Sequence, residues 1–370
     1  MSPSYRIVFY VSGHGFGHTS RTIEVIHALL RARPDAHVVV KTSAPLRLFA
    51  RTLAGRCELV ELECDAGMVQ IDSLNIDTER SLQQAIAFQQ RLPELAASEA
   101  NYLRDTGVHV AVGDIPPLAF AAAHAAGIPS VAIGNFTWDW IYADYGDAAT
   151  DLARDVRKIY QHATTVLRLP MAGGFEGLES KTRDIPFVAR HSRRTQDDVR
   201  GALGLPPRDR GTPLVLMSFG GYGIADLNTS ALAGLKDYTI ATTDMSIDPA
   251  PELLYISEQK VYDSGLRYED LIRGADVVVT KPGYGIISEA IANGAALLYT
   301  SRGHFVEYDV LVREMPRYLR ARFIEQEDLL SGNWNASLEK LLQQPAPPEK
   351  PALNGADIAA EAILKLAGSA

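Results

Sequence analysis

The chain has 370 residues, 46% of them hydrophobic and 22% charged, enough for two ordinary globular domains with full cores. A net charge of −9 and a pI near 5.5 argue against a nucleic-acid surface, and no block of five or more basic residues appears. The most apolar region, 108–136, is broken by Asp114, Pro116, Pro117, His124 and Pro129, so no transmembrane segment is expected, although peripheral membrane contact stays open. Cys57 and Cys64 are the only cysteines. So few in a chain of this size are expected to be reduced, in a cytoplasmic protein. The first residues lead directly into a strand and do not resemble a signal peptide.

Short apolar runs at 7–11, 38–40, 59–62, 108–112, 130–133 and 165–168 predict buried strands. Helical patterns at 21–31, 45–54, 78–104 and 118–126 lie between most of them, the last closed by Gly127. Strands alternating with helices imply a parallel sheet covered on both faces. Near residue 190 the texture turns polar and loses its periodicity. The second half then repeats the style of the first. It has strands at 214–219, 238–242, 253–256, 277–280 and 296–299, a helix at 226–235 and a last apolar helix at 358–367. The expected organisation is α/β. A Rossmann-like domain spans 1–190, and 191–213 is a linker with the first helix of the second domain. A second Rossmann-like domain follows at 214–355, and a helix at 356–370 packs back on the first domain.

Chemistry concentrates at the strand ends. Ser12-Gly-His-Gly-Phe-Gly-His-Thr-Ser-Arg21 follows the first strand and precedes a helix. It is not a dinucleotide fingerprint: His18 takes the place of the third glycine, and the second strand ends in Lys41-Thr-Ser without a carboxylate. Ser218-Phe-Gly-Gly-Tyr-Gly223 is a glycine turn at another strand end, where Gly220 and Gly221 free backbone N–H groups for phosphate. Thr280-Lys-Pro-Gly-Tyr-Gly-Ile-Ile-Ser-Glu-Ala290 is the strongest such site. Its Gly283 and Gly285 can cradle a diphosphate, and Lys281 can balance its charge. Glu289, one turn into the helix near Ser288 and Tyr284, can take two ribose hydroxyls. A second polar loop, Arg302-Gly-His-Phe-Val-Glu-Tyr-Asp309, brings His304 and Glu307 beside it.

The stretch from Pro282 to Glu307 resembles the donor-binding region of GT-B glycosyltransferases, including the undecaprenyl-muramoyl-peptide N-acetylglucosaminyltransferase type and the plant UDP-sugar enzymes. The resemblance implies two Rossmann-like domains facing across a cleft. It further implies a diphosphate on Gly283 and Gly285, a ribose on Glu289, and a donor sugar on Glu307 or Asp309. Nearly the whole chain also resembles the N-terminal glycosyltransferase-like portion of plant L-arabinokinase, through the opening motif, Gly113-Asp-Ile-Pro-Pro117, Asn135-Phe-Thr-Trp-Asp-Trp-Ile-Tyr142, the Lys281 turn and Ser331-Gly-Asn-Trp334. No G-x-x-x-x-G-K-[ST] loop or further kinase portion accompanies it, so a stand-alone glycosyltransferase-like module is expected.

A neutral imidazole can take a proton from an acceptor hydroxyl, and does so better when a carboxylate orients it. His18 is the expected base and Asp114, 96 residues later at a strand end, its partner. The acceptor side is assigned to His14, Gly15, Phe16, Trp138 and Asp139, with 65–70 a further candidate. His14 and His18 have no third ligand in sequence, and no D-x-D is present, so no metal or other cofactor is expected. The expected reaction moves a sugar from a nucleotide-diphospho-sugar, UDP-linked by analogy, to an unknown sugar, lipid or small-molecule acceptor, with inversion. Two other functions fit the same residues: a nucleotide-sugar 2-epimerase or hydrolase, and a non-catalytic nucleotide-sugar-binding module.

Overall fold

The computed structural model describes residues 5–220, 223–224 and 226–369. Fifteen strands are found among them. The first half contributes β1 (Arg6–Val11), β2 (His37–Thr42), β3 (Cys57–Glu61), β4 (Val69–Gln70), β5 (Ile76–Asp77), β6 (Val110–Asp114), β7 (Ser130–Phe136), β8 (Thr165–Gly173) and β9 (Thr182–Asp184). The second contributes β10 (Leu214–Met217), β11 (Thr239–Thr242), β12 (Leu253–Tyr255), β13 (Val277–Thr280), β14 (Ala296–Tyr299) and β15 (Ala321–Phe323).

The first sheet runs β3-β2-β1-β6-β7-β8-β9 and the second β12-β11-β10-β13-β14-β15, each parallel throughout. In both, the order reverses beside the first strand of the domain, which opens a crevice at the carboxyl ends of the central strands. The central strands are buried on both faces, as parallel strands covered by helices must be, and their near-continuous Val, Ile and Leu content reflects that. Of the two turns that face each other there, one follows β1 and the other follows β13.

Two elements tie the halves together. The helix Gly355–Ala367 returns from the second half and packs along the helix Phe16–Ala32. Its entry is tight: the Gly355 N–H donates to the Phe187 carbonyl at 3.1 Å, and a Cβ there would lie 2.1 Å from the Pro186 oxygen. The second tie is the β4–β5 hairpin, which the sequence periodicity did not reveal. Its loop carries Leu74 out of the first domain into the hydrophobic core of the second, beside Phe219 and Ile224. Burying a leucine to this extent contributes roughly 1.5–3 kcal/mol.

Three expectations are corrected in detail. The first helix begins at Phe16 rather than at residue 21, so His18 stands in a helical turn and only His14 in the loop. The helix expected at 226–235 is a 3-10 helix, Thr229–Gly234, capped by the Asn228 side chain on the Ala231 N–H. In the second glycine turn, Gly220 has a φ of 78°, while Gly221 lies outside the described residues.

Candidate active site

Asp114 ends β6, beside Val11 at the end of β1, so its carboxylate meets the first turn of the helix Phe16–Ala32. His18, Arg21 and Thr22 share one face of that helix by their three- and four-residue spacing. His18 Nδ1 lies 2.9 Å from Asp114 Oδ1, Arg21 Nε donates to both carboxylate oxygens at 2.9 and 2.8 Å, and Thr22 Oγ1 donates to Oδ2 at 2.8 Å. All four are buried. Burial alone would raise the Asp114 carboxyl, but Arg21 and the hydrogen bonds from His18 and Arg21 more than offset it and hold it down at about 2.

Arg21 Nη2 also lies 2.9 Å from His18 Nδ1, so that nitrogen faces both a cation and an anion. The carboxylate decides the tautomer. Arg21 already donates to Asp114, and a bare Nδ1 lone pair would point at a charged oxygen. Nδ1 therefore carries the proton and donates it to Asp114, leaving the Nε2 lone pair as the proton acceptor.

His14 has the opposite tautomer. Its Nδ1 accepts the Met68 N–H at 3.2 Å, so a neutral ring carries its proton on Nε2. Burial, then the positive charge of Arg302, with smaller contributions from His18 and Lys281, holds His14 well below the ordinary histidine range. It is a neutral donor, not a base. The two histidines thus use Nδ1 in opposite senses, His18 as a donor to Asp114 and His14 as an acceptor from the Met68 N–H.

Across the crevice, the helix Tyr284–Asn293 starts at Gly283. Its first free N–H groups and its dipole favour an anion there. Two cations flank it, Arg302 with its side chain enclosed and Lys281 half-buried. Lys281 Nζ has an amide partner, Gln70 Oε1, at 3.1 Å. Burial, reinforced by Arg302, lowers the Lys281 amine to about 7. Arg302 donates from Nη1 to the Pro282 carbonyl at 3.1 Å and stands over Phe305, with Glu307 only at 3.9 Å, and its Nε has no hydrogen-bond partner among the described residues. Burial lowers Arg302 despite Glu307. Glu307 and Asp72 act on these two cations only at longer range, and partly desolvated cations so weakly matched are costly unless something negative completes them.

One hydrogen-bonded chain joins the two sides. Arg21 Nη1 donates to Asn135 Oδ1 at 2.8 Å, and Asn135 Nδ2 donates to Glu307 Oε1 at 2.7 Å. The backbones meet too: a Cβ on Gly285 would lie 2.8 Å from the Gly17 Cα, so glycine is required at this contact.

The remaining predicted residues divide by what they touch. Gly15 is the N-cap of the first helix at φ 73°, and Phe16 beside it is 40% exposed at the cleft. Gly220 and Gly283 have open space where a side chain would be. Trp138 is not an open stacking platform. It is fully buried, donates from Nε1 to Asp65 at 2.9 Å and meets His14 edge-on at 5.7 Å. Asp139 is buried and engaged by Arg157 at 2.8 Å. Ser288 Oγ donates to the Gly285 carbonyl of its own helix, and Tyr284 stacks on Phe187 beneath Arg21. Glu289 is already held by Arg190 at 2.7 Å. His304 sits at the cleft rim, 62% exposed, with Nε2 2.7 Å from the Asp144 carboxylate of the other domain. Arg21, Gln70, Asn135 and Arg302 were not assigned roles from sequence. Each lies in a stretch the sequence singles out: Arg21 ends the opening motif, Gln70 closes the 65–70 candidate, Asn135 heads the aromatic motif and Arg302 opens the polar loop after β14.

No family model matches the chain. It is 29% identical over 367 residues to L-arabinokinase of Arabidopsis thaliana, covering 97% of this chain and 34% of that one; it therefore spans about a third of its relative's length. Among solved structures it is similar to the glycotransferase of kitacinnamycin (16% identity, 99% and 98% of the two chains, TM-score 0.63). It is also similar to Phytolacca americana UGT2, solved with UDP-2-fluoroglucose and pterostilbene (13% identity, 99% and 95%, TM-score 0.59). The fold is GT-B, two Rossmann-like domains facing across a cleft.

Proposed function

We propose that this protein is a glycosyltransferase that moves a sugar from a nucleotide-diphospho-sugar to an acceptor hydroxyl. One juxtaposition carries the reading: a buried, carboxylate-oriented imidazole on one side of the cleft faces a helix N-terminus flanked by two weakly paired, partly buried cations on the other. The first is suited to removing a proton from a hydroxyl, the second to receiving a diphosphate leaving group.

In the proposed reaction the acceptor oxygen attacks the anomeric carbon as the bond to the diphosphate breaks, in a single inverting displacement. His18 Nε2 takes the acceptor proton. Asp114, kept ionised by Arg21, fixes the ring and stabilises the imidazolium. Because Arg21 cancels much of the charge on Asp114, orientation is its larger contribution. Lys281, Arg302 and the N–H groups after Gly283 receive the charge on the diphosphate, and His14 Nε2–H is available to an oxygen between the two sides. These protein cations supply the leaving-group stabilisation for which a divalent ion would otherwise be needed, so the reaction is proposed to be metal-independent. Glu289 would have to share its carboxylate between Arg190 and a ribose; its position in the second turn of the donor helix supports that role. The donor is proposed to be UDP-linked, as in the similar protein solved with UDP-2-fluoroglucose. The unpaired cysteines support a reducing, cytoplasmic setting, and no helix among the described residues is long and apolar enough to cross a membrane.

The Gly17–Gly285 contact leaves little room between the domains, which favours a second reading in which water is the acceptor and the enzyme a nucleotide-sugar hydrolase. One experiment addresses both. Purified protein is given a panel of nucleotide sugars with and without sugar and lipid acceptors, in EDTA, and free nucleoside diphosphate is measured. Acceptor-dependent release supports the transferase, and acceptor-independent release the hydrolase. No release from any donor contradicts both.

A further inference from the structure

The hairpin that carries Leu74 into the second domain ends on the same groups that the proposed donor would use. Lys281 Nζ donates to Gln70 Oε1 at 3.1 Å, the Gly303 N–H donates to the Leu74 carbonyl at 2.6 Å, and Ser73 Oγ donates to the Phe219 carbonyl at 2.7 Å, next to Gly220. These three anchor points lie just past the ends of β10, β13 and β14, where a parallel sheet of this kind presents its ligand crevice. The hairpin offers neutral oxygens to Lys281 and to the Gly303 N–H, with the Asp72 carboxylate acting on Lys281 through space, at the mouth of a site whose own acid, Glu307, lies 3.9 Å from Arg302. Leu74, buried at 5% exposure in the other domain's core, holds it down, while Ile71 at the tip is 68% exposed.

We infer that residues 69–77 are a lid on the nucleotide-sugar site, occupying its phosphate-binding groups when the site is empty and swinging out when the diphosphate enters. The inference rests on the donor reading above. The lid and a diphosphate compete for Lys281 and Gly303, so only the fraction of molecules with the lid open can bind, and the apparent affinity is reduced by that fraction. Leu74 sets the fraction through packing, and Gln70 through its oxygen on Lys281. A charged oxygen at position 70 would hold the lysine more strongly than an amide does.

The test is equilibrium and stopped-flow binding of UDP to the full chain and to Leu74→Ala, Gln70→Ala and Gln70→Glu, with hydrogen exchange of 69–77 followed in parallel. Leu74→Ala is expected to bind UDP about tenfold tighter, with the gain in the association rate, and Gln70→Ala to bind severalfold tighter. Gln70→Glu is expected to bind about tenfold weaker. Since the two substitutions at position 70 move in opposite directions, damage to the fold would not reproduce the pattern. In the wild type, UDP should speed exchange of 69–77. If UDP binds the wild type but slows exchange there, and Leu74→Ala binds more weakly, the hairpin is a wall of the bound site and the lid is refuted. If no variant and no wild-type sample binds UDP or any nucleoside diphosphate, the donor reading falls and the lid with it.

Discussion

The two edges of the cleft are built to opposite specifications. On the first domain the charges around His18 are matched: Asp114 takes hydrogen bonds from His18, Arg21 and Thr22, and Arg21 is completed by Asn135, while the nearby Asp65 is held through one oxygen by Trp138. On the second, Lys281 faces an amide, and Arg302, 3.9 Å from Glu307, keeps an Nε without a hydrogen-bond partner among the described residues. A network whose charges are paired at short range holds a geometry, and one whose cations are weakly paired favours an added anion. On the proposed function, the contrast separates where a proton is taken from where an anion is bound.

The largest effect belongs to the first side. His18→Ala should lower turnover about 10²–10⁴-fold while leaving nucleoside-diphosphate affinity within about twofold; rapid-quench turnover and calorimetric titration on the same samples check the split. Equal losses in both would erase the division between the edges. Asp114→Asn strands the buried Arg21 without its counter-charge, and a destabilisation of about 3–5 kcal/mol is expected by denaturant unfolding. The sign with pH follows from the lowered carboxyl. Stability contributed by Asp114, about 2 kcal/mol, is complete above the unfolded value near 4 and disappears as pH falls towards about 2. Acid titration of the wild type should show that loss and Asp114→Asn should not.

On the second side, Arg302→Met keeps the bulk of the side chain and removes the charge. A loss of about 1.5–3 kcal/mol in nucleoside-diphosphate binding is expected, with stability unchanged or improved because an incompletely paired buried charge has gone. The smallest effect is a pH dependence. Lys281 is lowered to about 7 in the free protein, and a bound diphosphate would raise it. Binding therefore takes up a proton. Affinity for a sugar nucleotide, whose diphosphate does not titrate near neutrality, should be level below about pH 7 and weaken by up to about tenfold per unit above it. Lys281→Met should flatten that slope.

Much of the fold was legible because parallel strands buried on both faces are uniformly apolar, so 7–11, 108–112 and 277–280 stand out as core, the second of them shifted to Val110–Asp114 in the structure. That His18 and Asp114 share a sheet edge was legible because each lies at the carboxyl end of such a run; that β1 and β6 are neighbours was not. What escaped notice were partners chosen by tertiary structure. Arg190 reaches Glu289 from 99 residues away, and no local pattern announces it. The β4–β5 hairpin has two residues in each strand, too short for periodicity, and its apolar residue is satisfied in the other domain. Trp138, assigned from sequence to the acceptor side, lies in the core because Asp65 satisfies its indole N–H there, a partner 73 residues away that no local pattern announces.

The central claim is that the second edge is an anion site for a diphosphate, set against a base on the first. Calorimetric titration with uridine, UMP and UDP at low salt, on wild type and Arg302→Met, tests it most directly. The account predicts that affinity rises steeply from nucleoside to monophosphate to diphosphate, and that Arg302→Met collapses the gap between UMP and UDP without changing the affinity for uridine. Equal affinities for uridine and UDP, or a gap that survives Arg302→Met, would contradict it.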